Sequence, residues 1–249
     1  MRPCSGEEGC EGNGEGRDFA QAAGECGKPV IVLKSGRSPG GGRAVSSHTA
    51  SLAGDYQVFS QVLSQVGIVE AKNELELVSF CESLSCYQKP IRGSVGIVTG
   101  SGGHGAMAVD VCSSHGLLVH DLSEQEQEQI RQKLSVSVKN IASLRNPIDL
   151  TGSAVDDDFV SVTTYLSRMP EIDCIIALLL PYLLGITSDL GARLSNICQR
   201  EGKPLIAYVP HVEKYRMLIE GFELNGVPVS HSIEAAVLMV EALRRCRPC

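Results

Sequence analysis

Residues 174–180, Cys-Ile-Ile-Ala-Leu-Leu-Leu, carry no polar side chain, and Pro181 follows them. A stretch this short cannot cross a bilayer, which takes about 20 apolar residues. Nor can it be a half-exposed strand, because it has no polar face to turn to water. It reads as a strand buried on both faces, and such strands belong to the middle of parallel sheets covered by helices. The surrounding sequence supplies the partners. Val95–Thr99 reads as a strand, Gly100–Gly105 as a tight loop, 106–114 as a helix and 117–120 as a strand. Ser123-Glu-Gln-Glu126 is a capping box that opens a helix to about Leu134. Asn146–Asp149 is an extended turn and 157–169 a helix. Beyond the apolar strand come helix 188–200, strand 204–209, helix 212–224, strand 227–229 and helix 233–245. Alternation of this kind predicts a doubly wound α/β domain over residues 92–245, with about five mostly parallel strands.

The region before it is thinner. Residues 1–16 form a Gly/Glu-rich tail, and a short helix is expected from Asp18 to about Cys26. Lys28–Lys34 reads as a strand, followed by a mobile Gly/Ser loop from Ser35 to Thr49. Helix 55–66 gathers Val58, Phe59, Val62, Leu63 and Val66 on one face. A short strand at 68–70 and a helix from Glu74 to Cys86 lead to a boundary at Gln88–Gly93. Two domains are therefore expected, 1–88 and 92–249. The first has too few strands for a free-standing sheet, so it reads as the later part of a domain.

Composition narrows the class. The 249 residues include 22 basic and 29 acidic ones, a net charge of −7 with no basic stripe, which argues against nucleic acid as a partner. With 4% aromatics and no Trp, the core must be aliphatic. Of ten cysteines, only Cys246 and Cys249 stand at C-x-x-C spacing, without a second pair for zinc. Cys81, Cys112, Cys174 and Cys198 sit among apolar residues and read as small buried hydrophobes. A reducing, cytoplasmic setting is expected, with no metal site and no membrane segment. The first residues lack the apolar stretch of a signal peptide.

Two places could carry chemistry. His48 sits among Ser46, Ser47, Thr49, Ser51 and Gly54, not on a periodic apolar element. It is either a nucleophilic imidazole on a movable segment or an ordinary surface residue. Gly100-Ser-Gly-Gly-His-Gly105 follows a buried strand and opens a helix, so its amides could face an anion; it could equally be a plain turn. It matches neither the P-loop nor the dinucleotide pattern. His104 faces either that site or solvent. Glu11 alone says nothing, and Asn146, Pro147 and Asp149 need be no more than a stiff turn.

Taken together, four segments resemble one family. Lys28-Pro-Val-Ile-Val-Leu-Lys-Ser-Gly-Arg-Ser38 with Ser47-His-Thr-Ala-Ser-Leu-Ala-Gly54 is similar to the phosphohistidine segment of the ADP-forming acetyl-CoA synthetases. These are NDP-forming acyl-CoA synthetases related to the succinyl-CoA synthetase α subunit. Val95–Gly105 resembles the glycine loop of their following flavodoxin-like domain, Asn146–Leu150 its Asn-Pro-Val-Asp-Leu turn, and Gly226–Val229 with Glu234-Ala-Ala-Val its last strand and helix. The resemblance implies a flavodoxin-like domain preceded by part of a succinyl-CoA synthetase-like one. It implies that His48 is the phosphorylated histidine, that Glu11 steadies it, and that the backbone of Gly100, Ser101, Gly102 and Gly103 is the phosphate-binding helix start facing it. It implies CoA and ADP or ATP with magnesium as substrates of the complete enzyme, and an ATP-grasp module and a CoA-binding domain as partners in an oligomer. This chain departs from the family at His104, where Pro is usual, at Pro210-His211, where Gly-Gly is usual, and at Cys10 before Glu11. It contains neither the ATP-grasp nor the CoA-binding module, so turnover by the chain alone is not expected. The competing readings are a non-catalytic acyl-CoA-sensing or assembly module and a flavodoxin-like cofactor binder; the scarcity of aromatics beside the glycine loop opposes the latter.

Overall fold

A computed structural model describes residues 15–49, 55–180, 182–210 and 212–246, with the side chains of Glu15, His48 and Thr49 outside that description. The chain forms two compact units. One comprises Met1–Leu77 with Cys246–Cys249, the other Val78–Arg245. The division falls inside a helix, ahead of the composition break at 88–93.

In the first unit, α1 (Glu15–Glu25) precedes β1 (Ile31–Leu33). Then follow α2 (Pro39–Thr49), α3 (Tyr56–Gln65), β2 (Val69–Ala71) and the start of α4 (Glu74–Cys86). β1 and β2 pair in parallel, Ile31 opposite Val69 and Leu33 opposite Ala71. Leu63, Ile68, Val69 and Ala71 are buried, whereas Val58 and Val62 of the expected apolar face stand exposed. Asp55 caps α3, its Oδ1 accepting from Gln57 N at 2.8 Å.

The expected Gly/Ser loop is largely helical, because α2 occupies residues 39–49. Local chemistry explains the difference. Pro39 stands at the first helical position, where its fixed φ and missing N–H cost nothing. Ser38 Oγ accepts from Gly41 N at 3.1 Å, and Gly42 N bonds Ser38 O at 2.8 Å. These starting signals outweigh three glycines, each of which costs about 1 kcal/mol relative to alanine.

The second unit contains β3 (Ser94–Thr99), α5 (Gly102–Ser114), β4 (Leu118–Val119), α6 (Glu124–Arg131) and α7 (Val136–Lys139). Next come β5 (Ile148–Asp149), α8 (Asp156–Arg168), β6 (Cys174–Leu178), α9 (Leu190–Glu201) and β7 (Leu205–Tyr208). A short 3-10 turn leads to α10 (Arg216–Glu223), β8 (Val229–Ser230) and α11 (Ile233–Arg245). The sheet runs β4-β3-β6-β7-β8, with β5 also on β3, and every strand pair is parallel. The apolar strand β6 is central, paired with β3 and β7 and fully buried. The sheet has six strands where about five were expected, because Ile148–Asp149 forms a strand within what reads as a turn.

Period-two alternation divides the sheet between two helical layers. Ile175, Ala177, Leu205 and Ala207 join one core with Leu166 of α8, Leu194 of α9 and Phe222 of α10. On the other face α5 and α11 pack against each other and on the strands. Ser123 and Glu126 form the expected capping box.

Candidate active site

The carboxyl end of β3 is where this sheet can meet a ligand. There Thr99 is followed by Gly100 and Ser101, and α5 begins at Gly102 rather than after Gly105 as expected. The glycines belong to the helix's first turn. Gly102 and Gly103 are solvent-exposed, and the first turn contains no acidic residue. The first N–H groups of a helix have no partner within it. Ser101, the N-cap, does not cap them: its Oγ lies 3.2 Å from His104 Nδ1 instead. The loop is braced from Thr99, whose Oγ1 accepts from Ser101 N at 3.1 Å.

Sterics set the glycine positions here. A Cβ on Gly100 would stand 2.4 Å from Leu183 Cδ2. One on Gly105 would press on Pro147 at 3.2 Å and on Thr99 Cγ2 at 3.3 Å. The Asn146–Asp149 turn is thus the bracket of the helix start. Asn146 Oδ1 accepts from Ile97 N at 2.8 Å and its Nδ2 donates to Val95 O at 2.7 Å, while the following peptide, Asn146–Pro147, is cis. Pro147 backs Gly105, and Ile148 is fully buried. Asp149 Oδ1 accepts from Thr151 N at 2.9 Å, and its Oδ2 would lie 3.0 Å from a Cβ on Gly102. That carboxylate sits beside the positive end of the helix, a favourable placement for a negative charge.

Half-buried His104 has its ring 6.5 Å from that of Tyr208 at the end of β7. Burial, with Glu234 and Tyr182 nearby, pushes the Tyr208 hydroxyl above its ordinary pKa. Tyr208 and Leu183 were not singled out from the sequence, and Asp149 was read only as part of a stiff turn. The first two come from distant strand ends and only the sheet order brings them to β3.

Of the other expected site residues, Glu11 lies outside the described residues, as do Ser51 and Gly54. His48 is the next-to-last residue of α2. The last turn before it is held by side-chain bonds, Ser46 Oγ to Gly42 O at 3.0 Å and Ser47 Oγ to Ala44 O at 2.7 Å. Position 48 therefore stands in a helix end, not in the open loop expected there. Among the described residues no group of three His, Cys, Asp or Glu could hold a metal ion, and no helix is long and apolar enough to cross a membrane.

Fold and site together define a parallel α/β protein with a glycine-opened helix at the carboxyl edge of its larger sheet. Known proteins agree. The family described as "Succinyl-CoA ligase like flavodoxin domain" matches residues 9–84, the stretch that carries Ser-His-Thr. The α subunit of acetate–CoA ligase (ADP-forming) II from Pyrococcus furiosus is 32% identical over 244 residues, covering 94% of this chain and 51% of that protein. The 4-hydroxybutyrate–CoA ligase (ADP-forming) of Nitrosopumilus maritimus is 30% identical, over 88% of this chain and 30% of its own length. A solved acetyl-coenzyme A synthetase 1 from Ca. Korarchaeum cryptofilum, in complex with phosphate and ADP, superposes with a TM-score of 0.82 at 26% identity. That match covers 96% of this chain and 51% of the other. The chain belongs to the NDP-forming acyl-CoA synthetases, among the ADP-forming acetate–CoA ligases and their relatives. It spans about half the length of the α subunits it matches.

Proposed function

We propose that this chain supplies the phosphohistidine of an ADP-forming acyl-CoA synthetase, an enzyme that interconverts acyl-CoA, ADP and phosphate with free acid, CoA and ATP. The observation that carries the reading is the start of α5, where Gly102 and Gly103 are exposed and left uncapped by Ser101.

Phosphate attacks the thioester carbonyl, the C–S bond breaks, and CoA thiolate leaves an acyl phosphate. A neutral ring nitrogen of His48 attacks phosphorus, the bond from phosphorus to the acyl oxygen breaks, and the acid departs as carboxylate. A terminal oxygen of ADP, held with magnesium by an ATP-grasp partner, then takes the phosphoryl group from His48. Glu11 accepts a hydrogen bond from the ring's other N–H and fixes the attacking tautomer. The amides of Gly102 and Gly103, with the Ser101 hydroxyl, bind the phosphoryl oxygens, a contact worth roughly 1 kcal/mol or more when partly buried. CoA is held by a separate CoA-binding domain, and the assembly works in the cytoplasm.

Transfer between two sites requires His48 to travel. Its place one residue from the end of α2 suits this, because only the last turn of the helix has to be released.

The test is reconstitution. The chain alone should make no ATP from acyl-CoA, ADP and phosphate. With the CoA-binding and ATP-grasp modules of a relative it should do so with at least one of acetyl-, butyryl- and aryl-CoA, and His48→Ala should abolish that activity. Turnover retained by His48→Ala, or none from any thioester with all modules present, would overturn the proposal and favour a non-catalytic module.

A further inference from the structure

The first unit holds a second feature independent of His48. β1 and β2 are parallel neighbours, and the chain leaves each through a short turn into a helix, α2 after β1 and α4 after β2. Between the two turns lies a crevice of about 540 Å³. It sits outside the carboxyl ends of two parallel strands, where α/β sheets bind ligands, and its size is that of small-molecule sites.

Its charge is one-sided. Lys34, Arg37 and Lys72 line it, with Glu74 as the single acid. Among the described residues none of these three cations is in a salt bridge with a carboxylate. Ion pairs such as Arg92–Asp173 and Arg245–Glu241 lie in the second unit. Yet the cations are held in place. The Arg37 guanidinium donates to Lys72 O, tying the two turns together. Lys34 Nζ rests 4.9 Å from the centre of the Phe59 ring, which fixes its stem. Gly36, at φ +78°, bends the first turn. A Cβ on Gly41 would come within 3.3 Å of Gly36 Cα, so the backbone closes tightly there.

Helix starts do not account for the crevice. Ser38 Oγ already accepts from Gly41 N, and Asn73 Oδ1 already accepts from Glu76 N at 2.8 Å. What remains, among the described residues, is a set of held cations in no salt bridge, with Arg37 bonded to the Tyr56 hydroxyl that Glu70 also bonds. Such a set attracts anions and suits phosphate oxygens, which take charge-assisted bonds from both guanidinium and ammonium groups.

We propose that this crevice binds a phosphate-bearing small molecule of at least two negative charges, gripped by Arg37 and Lys72 with Lys34 behind them. The crevice is lined by the ends of β1 and β2 and the turns that follow them, with Gly41 of α2.

The experiment is calorimetric titration of the full chain with inorganic diphosphate at low salt. Binding should weaken as salt is raised. The double variant Arg37→Gln/Lys72→Gln should lose at least about tenfold in affinity, since charge-assisted bonds are the strong ones. His48→Ala should bind diphosphate as the unaltered chain does, which separates this site from the transfer chemistry. Lys89→Gln/Lys139→Gln, on the second unit, should also leave affinity unchanged. Circular dichroism should give all variants the same spectrum and melting midpoint. Diphosphate that fails to bind at millimolar concentration, or that binds Arg37→Gln/Lys72→Gln as well as the unaltered chain, would overturn the assignment. So would an equal loss in Lys89→Gln/Lys139→Gln, since that would mark diffuse surface attraction.

Discussion

The side chain of Asn146 completes the edge of the central sheet beside Ile97, accepting from the Ile97 amide at 2.8 Å and donating to Val95 O at 2.7 Å. β3 pairs with β6 along one edge. On the other edge β4 covers only Ser94 and Val95, and β5 only Val98 and Thr99. Asn146 fills the gap between them with the donor and acceptor that a strand would have supplied.

Removing that amide should therefore be costly. Asn146→Ala leaves the Ile97 N–H and the Val95 carbonyl without their partner in a buried place. At about 1–3 kcal/mol for each of the two buried polar groups left unpaired, the loss should be about 2–6 kcal/mol. Urea unfolding followed by circular dichroism measures it. A loss below about 1 kcal/mol would mean that water or backbone replaces the amide.

Glycine substitutions should separate by what the added methyl meets. On Gly191 it would stand 2.5 Å from Leu218 O, a backbone atom of the neighbouring α10 that cannot swing away. On Gly16, in exposed α1, it meets nothing within 4 Å. Gly191→Ala should destabilise by about 1–3 kcal/mol through overpacking. Gly16→Ala should be neutral or stabilise by up to about 1 kcal/mol. Thermal melts of the two variants compare them directly.

Asp173 should make the second unit sensitive to acid. Burial works to raise its pKa, but hydrogen bonds from Ser94 N, Arg92 and Gly93 N outweigh that and hold the carboxyl below the usual carboxylate range. A carboxyl lowered in the folded state lends stability above its unfolded pKa of about 4 and loses it as pH falls through the lower native value. The urea midpoint of Asp173→Asn should lie below that of the parent at pH 7, and the gap should close towards pH 3. A gap independent of pH would mean that lost packing, not charge, is responsible.

Thiol labelling should follow burial. Desolvation pushes Cys112 and Cys198 up to about 12 and raises Cys174 as well, and all three are buried. Cys26 is exposed. Iodoacetamide on the native chain at pH 8 should modify Cys26 and spare these three. Mass spectrometry finding Cys112, Cys174 or Cys198 labelled before unfolding would contradict the packing described.

Strong periodicity and explicit stop signals made much of the fold legible in the sequence. The apolar stretch 174–180 is the central strand, and helices Glu74–Cys86 and Ile233–Arg245 lie where their patterns place them. Two features were hidden for physical reasons. Three consecutive glycines at 40–42 oppose a helix, and only Pro39 at its first position and the Ser38 cap reverse that. Ile148–Asp149 is too short to show a period and becomes a strand because Thr99 O receives Leu150 N and Asn146 pins the turn. At the glycine loop the helix start was readable as strand, glycines and helix. Leu183, Tyr208 and the placement of Asp149 were not, since separate strand ends supply them.

The most direct measurement is the position of the phosphoryl group. The chain should be incubated with an ATP-grasp module of a relative, magnesium and γ-labelled ATP, which requires no knowledge of the acyl group. The account predicts an acid-labile, base-stable label that peptide mapping places on His48, absent from His48→Ala and retained by His104→Ala. A label that survives in His48→Ala, or that maps to His104, would contradict it.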